Sequence, residues 1–202
     1  MRQSIVTLDL EGVLTPEIWI AIAEKTGIAK LRLTTRDVPD YDALMRGRLA
    51  LLAEHGLRLA DLQTVIATLC PLPGALEFLR ALRTFVPVII LSDTFEQFAR
   101  PLLAQLEWPT LFCHRLVVQA DRVVDYHLRL RDQKQRAVAA LKNLNYRVIA
   151  AGDSYNDTAM LQEADVGLLF RAPQNVRHQF AQFPAVDTYD GLLRLIKDEV
   201  HY

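Results

Sequence analysis

The chain has 202 residues, of which 51% are hydrophobic, so it is long enough to bury a substantial core as one domain or one domain with an insertion. Its 23 basic and 24 acidic residues leave a net charge of −1 without long blocks of one sign, which argues against a general nucleic-acid or anionic-membrane surface. The sequence has neither a signal-peptide pattern nor an apolar run near the roughly 18 residues of a membrane span, so we expect a cytoplasmic protein. Cys70 and Cys113 lack metal-ligand spacing and are expected to be buried free thiols.

The first predicted element is a strand from Ile5 to Leu8, within MRQSIVTLDLEGVLT. Asp9 follows it and Gly12 then breaks the chain, which places a carboxylate where open α/β sheets bind ligands, at the carboxyl end of a strand. Glu11 lies two positions after Asp9, and side chains two apart in an extended segment project to the same side. Two carboxylates are therefore predicted to face one crevice, although acidic residues are also common in ordinary turns after strands.

The segment 16–70 interrupts the strand pattern and predicts consecutive helices. Their sequences are PEIWIAIAEKTG, DYDALMRGRLALLAEHG and ADLQTVIATL, and Pro71 and Pro73 end the segment. We predict a helical insert over 16–70 after the first strand, with 1–15 and 71–202 forming the core. An insert at this point lies over the strand ends and can act as a lid.

Strands and helices alternate in the rest of the chain, which predicts an α/β protein with a doubly wound parallel sheet. The predicted strands are Val86 to Leu91, Arg147 to Ala151, Val166 to Phe170 and Ala185 to Thr188. The predicted helices are Gly74 to Thr84, Phe95 to Leu106, Lys134 to Leu144, Thr158 to Glu163 and Tyr189 to Glu199. Two β-branched runs between His114 and Leu130 predict a hairpin, to which the sequence assigns no chemistry.

Ser92, Asp93 and Thr94 follow the Val86 to Leu91 strand and directly precede the helix predicted from Phe95. A hydroxyl and backbone N–H groups at a helix N-terminus can hold an anion. An ordinary N-cap, in which one of these side chains caps the helix and binds nothing, explains the same pattern.

Lys134 opens a predicted helix, where a positive charge is poorly placed relative to the helix dipole. A solvated helix surface is the alternative. Asp153 and Asp157 follow the Arg147 to Ala151 strand, and their spacing brings both carboxylates to one side of a helix or tight turn. Oxygen ligands without sulfur or imidazole suit a hard cation such as Mg²⁺, although a turn rich in Gly, Asp and Asn gives the same pattern.

Asp9, Ser92, Lys134 and Asp153 occur in the order carboxylate, hydroxyl, lysine, carboxylate, and three of them follow predicted strands. In this order the chain resembles the haloacid dehalogenase superfamily of phosphotransferases, whose four motifs match DLEGV, the Ser92 of ILSDT, Lys134 and GDSYND. The helical insert resembles the C1 cap of that superfamily, which places the chain near the phosphoserine phosphatases.

The resemblance implies roles for the acidic residues. Asp9 is the nucleophile that forms an aspartyl phosphate, and Mg²⁺ is held by Asp9, the backbone carbonyl of Glu11, and Asp153. Asp157 orients the metal ligands. The usual second aspartate of the first motif, the general acid and base, is replaced by Glu11 in this chain.

The resemblance also implies how the substrate binds. Ser92, Asp93 and Lys134 surround the phosphate, and Asn156 donates a hydrogen bond to it or to the rest of the substrate. Asp93 stands where phosphoserine phosphatases usually carry glycine. This departure and that at Glu11 match a narrower group of these enzymes, which also passes phosphate to homoserine.

That narrower group has sequences similar to PEIWIAIAEKTG, TTRDVPDYDALM and SDTF. By this resemblance Glu17 binds the substrate ammonium and Arg48 binds its carboxylate, a pairing for which a planar guanidinium is well suited. Without the resemblance, Arg48 reads as a solvated helix residue and Glu17 as an acid in a first helical turn. Trp19 and Trp108 are expected in the core.

We therefore expect a Mg²⁺-dependent phosphatase acting on a small phosphorylated amino acid, O-phosphoserine, with homoserine as a second phosphate acceptor. One alternative is a phosphatase for another small phosphorylated metabolite. Another is a non-catalytic sensor of phosphorylated ligands that has kept the fold. The oligomeric state is left open.

Overall fold

The computed structural model describes residues 2–35, 37–38 and 40–200, so Arg36 and Pro39 of the predicted insert lie outside the described residues. Seven strands within those ranges form a single sheet. The strands are β1 (Ser4–Leu8), β2 (Val88–Phe95), β3 (Leu111–Gln119), β4 (Arg122–His127), β5 (Arg147–Gly152), β6 (Val166–Phe170) and β7 (Ala185–Val186). Their order across the sheet is β4-β3-β2-β1-β5-β6-β7.

Nine α-helices lie within the described residues. They are α1 (Ile18–Thr26), α2 (Tyr41–Glu54), α3 (Leu59–Ala67), α4 (Ala75–Arg83), α5 (Glu96–Gln105), α6 (Gln133–Asn143), α7 (Thr158–Glu163), α8 (Gln174–Gln179) and α9 (Tyr189–Glu199). Short 3-10 helices cover Ala29–Arg32 and Tyr155–Asp157. No helix of the described ranges has both the length and the apolar character to cross a bilayer.

β1 lies near the middle of the sheet, where it pairs in parallel with strands on both sides. All five of its residues are therefore buried. Val6 is aligned with Val88 of β2 and with Ile149 of β5. Except for the antiparallel β3–β4 pair, the strand pairs are parallel. The predicted α/β class with a doubly wound parallel sheet is confirmed, and the carboxyl ends of β1, β2 and β5 meet at one edge.

β2 is longer than predicted, since it continues past Leu91 to Phe95. The register with β3 shifts between Leu91 and Phe95, so Ser92, Asp93 and Thr94 belong to an irregular last part of the strand. α5 begins at Glu96, and its N-cap residue Phe95 makes no capping hydrogen bond. The ordinary N-cap interpretation of Ser92, Asp93 and Thr94 is therefore wrong.

The helices α1, α2 and α3 share an apolar cluster that includes Ile22, Met45 and Ile66. This cluster continues onto Phe98 of α5 and Tyr126 of β4, so the three helices rest on α5 and on the β3–β4 hairpin. Their burial against one another removes large side chains from water, which is the main stabilising term for such helices.

The β3–β4 hairpin turns at Ala120 and Asp121, whose φ values of 47° and 64° are those of a two-residue hairpin turn. Asp121 also holds the start of α3, because its backbone oxygen accepts the Leu59 N–H at 2.8 Å and its Oδ1 accepts the Ala60 N–H at 3.2 Å. The hairpin thus braces the helical segment in addition to extending the sheet.

Two predictions of burial are wrong. Cys70 is exposed because it follows α3 in the proline-containing link to α4. Cys113, in β3, is half-buried. Trp108 is 59% exposed, since it lies in the turn between α5 and β3, where its φ is 52°. Trp19 is buried in the cluster of α1–α3, as expected.

Candidate active site

Asp9 is fixed directly beyond the end of β1. Its N–H donates to the carbonyl of Ala151 in β5 at 3.0 Å, and its Oδ1 accepts the Leu10 N–H at 2.8 Å. Only 4% of the residue is exposed. The sheet therefore presents a buried carboxylate with restricted freedom at the junction of β1 and β5.

Lys134 lies in the first turn of α6 and bridges several carboxylates. Its Nζ is 2.9 Å from Asp9 Oδ1 and 2.8 Å from Asp157 Oδ1, with Asp93 Oδ2 at 3.9 Å. Burial by itself lowers the pKa of Lys134, but Asp157, Asp9 and Asp93 together raise this pKa well above the usual value. The lysine is therefore a buried ammonium, and the interpretation as a solvated helix residue is wrong.

Asp9, Asp153 and Asp157 form a cluster in which one carboxylate oxygen of each lies within 4.8 Å of the others. Asp157 is fully buried, and its Oδ2 accepts the N–H groups of Asp153 and Ser154 at 3.0 and 3.1 Å. Its other oxygen accepts from Lys134. Because both oxygens are held, Asp157 has a single orientation within the cluster.

Two glycines make the close approach of these carboxylates sterically feasible. A Cβ on Gly12, whose φ is +80°, would lie 2.5 Å from Asp153 Cγ. A Cβ on Gly152 would lie 2.4 Å from Asp157 Cβ. The oxygen-only donors and this cleared space fit a divalent hard cation.

The clustered charges also change the acidity of Asp9. Burial and the nearby Asp157 raise the pKa of Asp9 well above its usual value, and Lys134 opposes them only in part. A bound divalent cation would favour the ionised form of this carboxyl. The cluster therefore has the electrostatic character of a cation site.

Glu11 links the loop after β1 to the helical segment. Its Oε2 accepts the N–H of Ile18, the first residue of α1, at 2.8 Å. Burial and the neighbouring Glu17 raise the pKa of Glu11 from 4.5 to about 7, although hydrogen bonds to Ile18 and Thr94 act in the opposite direction. A carboxyl group with this pKa can both donate and accept a proton near neutral pH.

Ser92 and Asp93 lie at the end of β2 beside Lys134. Ser92 is 1% exposed, and its Oγ accepts the Thr94 N–H at 3.2 Å. Burial opposes ionisation of Asp93, but Lys134, His114 and Gln133 together outweigh it and hold the pKa of Asp93 well below the usual range. Asp93 is therefore an anion beside the ammonium of Lys134.

Arg48 of α2 lies inside the protein and not on a solvated face. Its Nη2 donates to the Leu33 carbonyl at 2.7 Å, and its guanidinium carbon lies 4.5 Å from the ring centre of Trp19. Its Nε is buried and has no hydrogen-bond partner among the described residues. Burial lowers the pKa of Arg48 to about 10, against the influence of Tyr41, Glu11 and Glu17.

A cavity of about 190 Å³ joins the helical segment to the strand ends. Eight of the ten predicted site residues line it: Asp9, Glu11, Glu17, Arg48, Ser92, Asp93, Lys134 and Asn156. The other two, Asp153 and Asp157, join the group through Asp9 and Lys134. Glu17 is exposed at the N-cap position of α1, without a capping hydrogen bond.

Three residues at the site were not predicted from the sequence. The Tyr41 hydroxyl donates to the Asp93 carbonyl at 3.2 Å, which ties α2 to the end of β2. Gln133 and His114 are buried against the other side of Asp93. Gln133 directly precedes Lys134 on α6, and this adjacency was the available signal for it.

Comparisons with known proteins identify the class of enzyme to which this fold and this group of carboxylates belong. Residues 4–165 match the family of haloacid dehalogenase-like hydrolases, and the chain belongs to that family. It is 64% identical over 189 residues to a phosphoserine phosphatase of Pseudomonas syringae pv. tomato, covering 93% of this chain and 80% of that protein.

The chain is also 62% identical over 191 residues to the phosphoserine phosphatase ThrH of Pseudomonas aeruginosa, covering 94% of this chain and 93% of that one. Its fold is similar to the crystal structure of a phosphoserine phosphatase in apo form, with a TM-score of 0.78, 19% identity, and coverage of 99% of this chain and 100% of the other. The resemblance identified from the four sequence motifs is confirmed.

Proposed function

We propose that this protein is a Mg²⁺-dependent phosphatase of O-phosphoserine that works through an aspartyl phosphate on Asp9. The family assignment and the relatives named as phosphoserine phosphatases support this function. In this proposal Asp9, Asp153 and the backbone carbonyl of Glu11 hold the metal, and Asp157 orients them. When bound, Mg²⁺ supplies positive charge that offsets the repulsion between an anionic nucleophile and an anionic phosphate.

The observation that carries the substrate assignment is the burial of Arg48 in the same cavity as Asp9. Among the described residues no carboxylate oxygen lies within 4.0 Å of Arg48, and its Nε has no partner. A buried cation of this kind is costly unless an anion pairs with it. A substrate carboxylate would provide that anion, and Glu17 would meet the substrate ammonium.

In the first step, an Asp9 oxygen attacks phosphorus and the bond from phosphorus to the serine oxygen breaks. The leaving serine oxygen takes a proton from Glu11. Lys134, the Ser92 hydroxyl and the backbone N–H groups at the end of β2 hold the phosphate oxygens. The side-chain amide of Asn156 donates a hydrogen bond to the substrate. Positioning and charge neutralisation of this kind supply most of the catalysis in phosphoryl transfer.

In the second step, a water molecule or the hydroxyl of homoserine attacks the phosphorus of the aspartyl phosphate. Glu11 removes the proton from the attacking oxygen, and the bond between phosphorus and Asp9 breaks. Water yields free phosphate and homoserine yields phosphohomoserine. Dividing the reaction through a covalent intermediate lowers the barrier that each step must cross.

The test incubates the protein with phosphoserine and Mg²⁺, with and without homoserine, and measures free phosphate and phosphohomoserine. A parallel assay uses a sugar phosphate, and Asp9→Asn serves as the control variant. We expect phosphate release from phosphoserine that is lost in Asp9→Asn. Faster phosphate release from the sugar phosphate would contradict the assignment of phosphoserine as the substrate. Thermal stabilisation of the protein by phosphoserine without any phosphate release would instead favour a non-catalytic sensor.

A further inference from the structure

The ammonium of Lys134 has two close carboxylate partners, Asp9 and Asp157, and a third at 3.9 Å, Asp93. At 3.9 Å the Asp93 carboxylate acts on the ammonium through its charge, since the distance is too long for a hydrogen bond. Asp93 is the partner whose side chain is partly exposed, at 35%. The surroundings of its carboxylate therefore bear on the position of the lysine.

The carboxylate of Asp93 is held on the side away from Lys134. Its Oδ1 accepts from Gln133 Nε2 at 3.2 Å and lies 3.5 Å from His114 Nε2. Gln133 Nε2 also donates to the Ser92 carbonyl at 2.5 Å. The same amide group thus fixes both the backbone and the side chain at the end of β2.

The orientations of the two supporting groups are set by Arg129. Its backbone N–H donates to His114 Nδ1 at 3.2 Å, so the proton of a neutral imidazole is on Nε2, the nitrogen that faces Asp93. Its Nε donates to Gln133 Oε1 at 3.1 Å, which turns the amide nitrogen toward Asp93. Gln133 Nε2 and His114 Nε2 lie 3.3 Å apart, and with this tautomer neither accepts from the other, so both direct N–H donors toward the carboxylate.

His114 and Gln133 are 4% and 2% exposed, so their polar groups depend on protein partners. Leaving such a buried donor without a partner is costly, which makes alternative arrangements unfavourable. The aromatic ring of Tyr41 lies beside the imidazole, with ring centres 6.2 Å apart, and its hydroxyl bonds the Asp93 carbonyl. Asp93 is thus also hydrogen-bonded to α2 of the helical segment.

We infer that His114 and Gln133 are positioning residues that act through the Asp93 carboxylate to hold the Lys134 ammonium between Asp9 and Asp157. The inference deepens the proposed function and rests on it, because it assigns Lys134 a part in phosphoryl transfer. Loss of the His114 donor leaves Gln133 as the one side chain that holds Asp93 Oδ1, and the negative charge beside Lys134 is then less firmly placed. Small displacements of groups that act on the reacting phosphate lower the rate strongly.

The test compares two substitutions that each keep one ring function. Glutamine places an N–H donor near the position of Nε2, whereas asparagine places an acceptor near Nδ1 and leaves Asp93 without its donor. We expect His114→Asn to lower kcat about 10-fold with little change in KM. We expect His114→Gln to restore most of kcat, and His127→Asn, on the exposed end of β4, to match the wild type.

A second variant tests the route through Asp93. Asp93→Asn removes the charge from a partly exposed side chain and is expected to fold and to lower kcat about as much as His114→Asn. If His114 acts through Asp93, adding His114→Asn to Asp93→Asn changes kcat less than twofold further, because the two effects are not additive. Should His114→Asn fail to fold, as judged by thermal melting, Asp93→Asn alone tests the step from Asp93 to Lys134, and an unchanged kcat in that variant overturns the inference.

All variants are assayed with phosphoserine and with p-nitrophenyl phosphate, which lacks the amino-acid groups. An active wild type with a fully active Asp93→Asn or His114→Asn variant would overturn the inference alone. The same holds if His114→Gln loses as much activity as His114→Asn. A wild type that hydrolyses neither compound would contradict the proposed function itself.

Discussion

Gly12 and Asp153 are 141 positions apart in the chain, yet a Cβ on Gly12 would lie 2.5 Å from the carboxyl carbon of Asp153. The glycine has a φ of +80°, which L side chains seldom adopt. Its absence of a side chain is what allows the loop after β1 and the loop after β5 to share one group of carboxylates.

Gly12→Ala is therefore expected to displace Asp153 and to lower phosphatase activity about 100-fold. The matched control is Gly27→Ala, since Gly27 has a φ of +73° but no atom within 4 Å of an added Cβ. Both variants carry the backbone strain of about 1–3 kcal/mol, and only Gly12→Ala adds the collision. Equal activity losses in the two variants would show that strain, rather than the approach of Asp153, is what matters.

Mg²⁺ is expected to stabilise the folded protein through Asp9 and Asp153. At a free Mg²⁺ concentration 100 times the dissociation constant, the gain is about 2.7 kcal/mol, which corresponds to a rise in Tm of about 5–10 °C. Asp153→Asn should remove this rise, as measured by thermal melting with Mg²⁺ and with EDTA. Asp198→Asn, which neutralises an exposed acid on α9, should keep it. A full Mg²⁺ shift in Asp153→Asn would exclude that carboxylate as a ligand.

Elements buried on both faces could be located from sequence because their apolar runs are unambiguous. β6 has the predicted bounds, Val166–Phe170, and β1 begins one residue earlier than predicted. The end of β2 could not be located, since its last residues are held by pairing with β3 after a shift in register. That pairing depends on a strand that lies some 20 residues further along the chain.

The candidate site likewise has residues whose placement the sequence predicts and residues whose placement it does not predict. The site residues at the carboxyl ends of β1, β2 and β5 are brought together by the sheet topology itself, which the alternation of strands and helices predicts. Arg46 and Arg48 are both in the sequence MRGR on α2, yet Arg46 is exposed and Arg48 is buried. Two positions on a helix differ by about 200°, and packing against α1 decides which one is inside, since the Arg48 guanidinium lies over the ring of Trp19.

Arg48→Ala is expected to raise KM for phosphoserine about 10- to 100-fold, the loss of a hydrogen bond to a charged group. The variant should change KM for p-nitrophenyl phosphate little, because that compound has no carboxylate. Arg46→Ala is the control from the same helix, since Arg46 is exposed and pairs with Asp125 on β4 at 2.8 Å. Steady-state kinetics on both substrates give the comparison. An unchanged KM for phosphoserine in Arg48→Ala would contradict the role of Arg48 and favour another phosphorylated metabolite.

Glu11 makes the stability of the metal-free protein depend on pH. Burial raises the pKa of Glu11 from 4.5 to about 7, so between these values the folded chain keeps a proton that the unfolded chain loses. The free energy of unfolding therefore falls as pH rises through this window, by about 3 kcal/mol in all. Glu11→Gln removes this contribution.

We expect chemical denaturation in EDTA to show that the wild type loses more stability than Glu11→Gln between pH 5 and pH 8. Glu54→Gln, an exposed position at the end of α2, should follow the wild type. Parallel pH profiles for wild type and Glu11→Gln would mean that Glu11 is ionised in the folded protein already at pH 5. It could then no longer deliver a proton to the leaving serine at neutral pH, and another group would have to be the general acid.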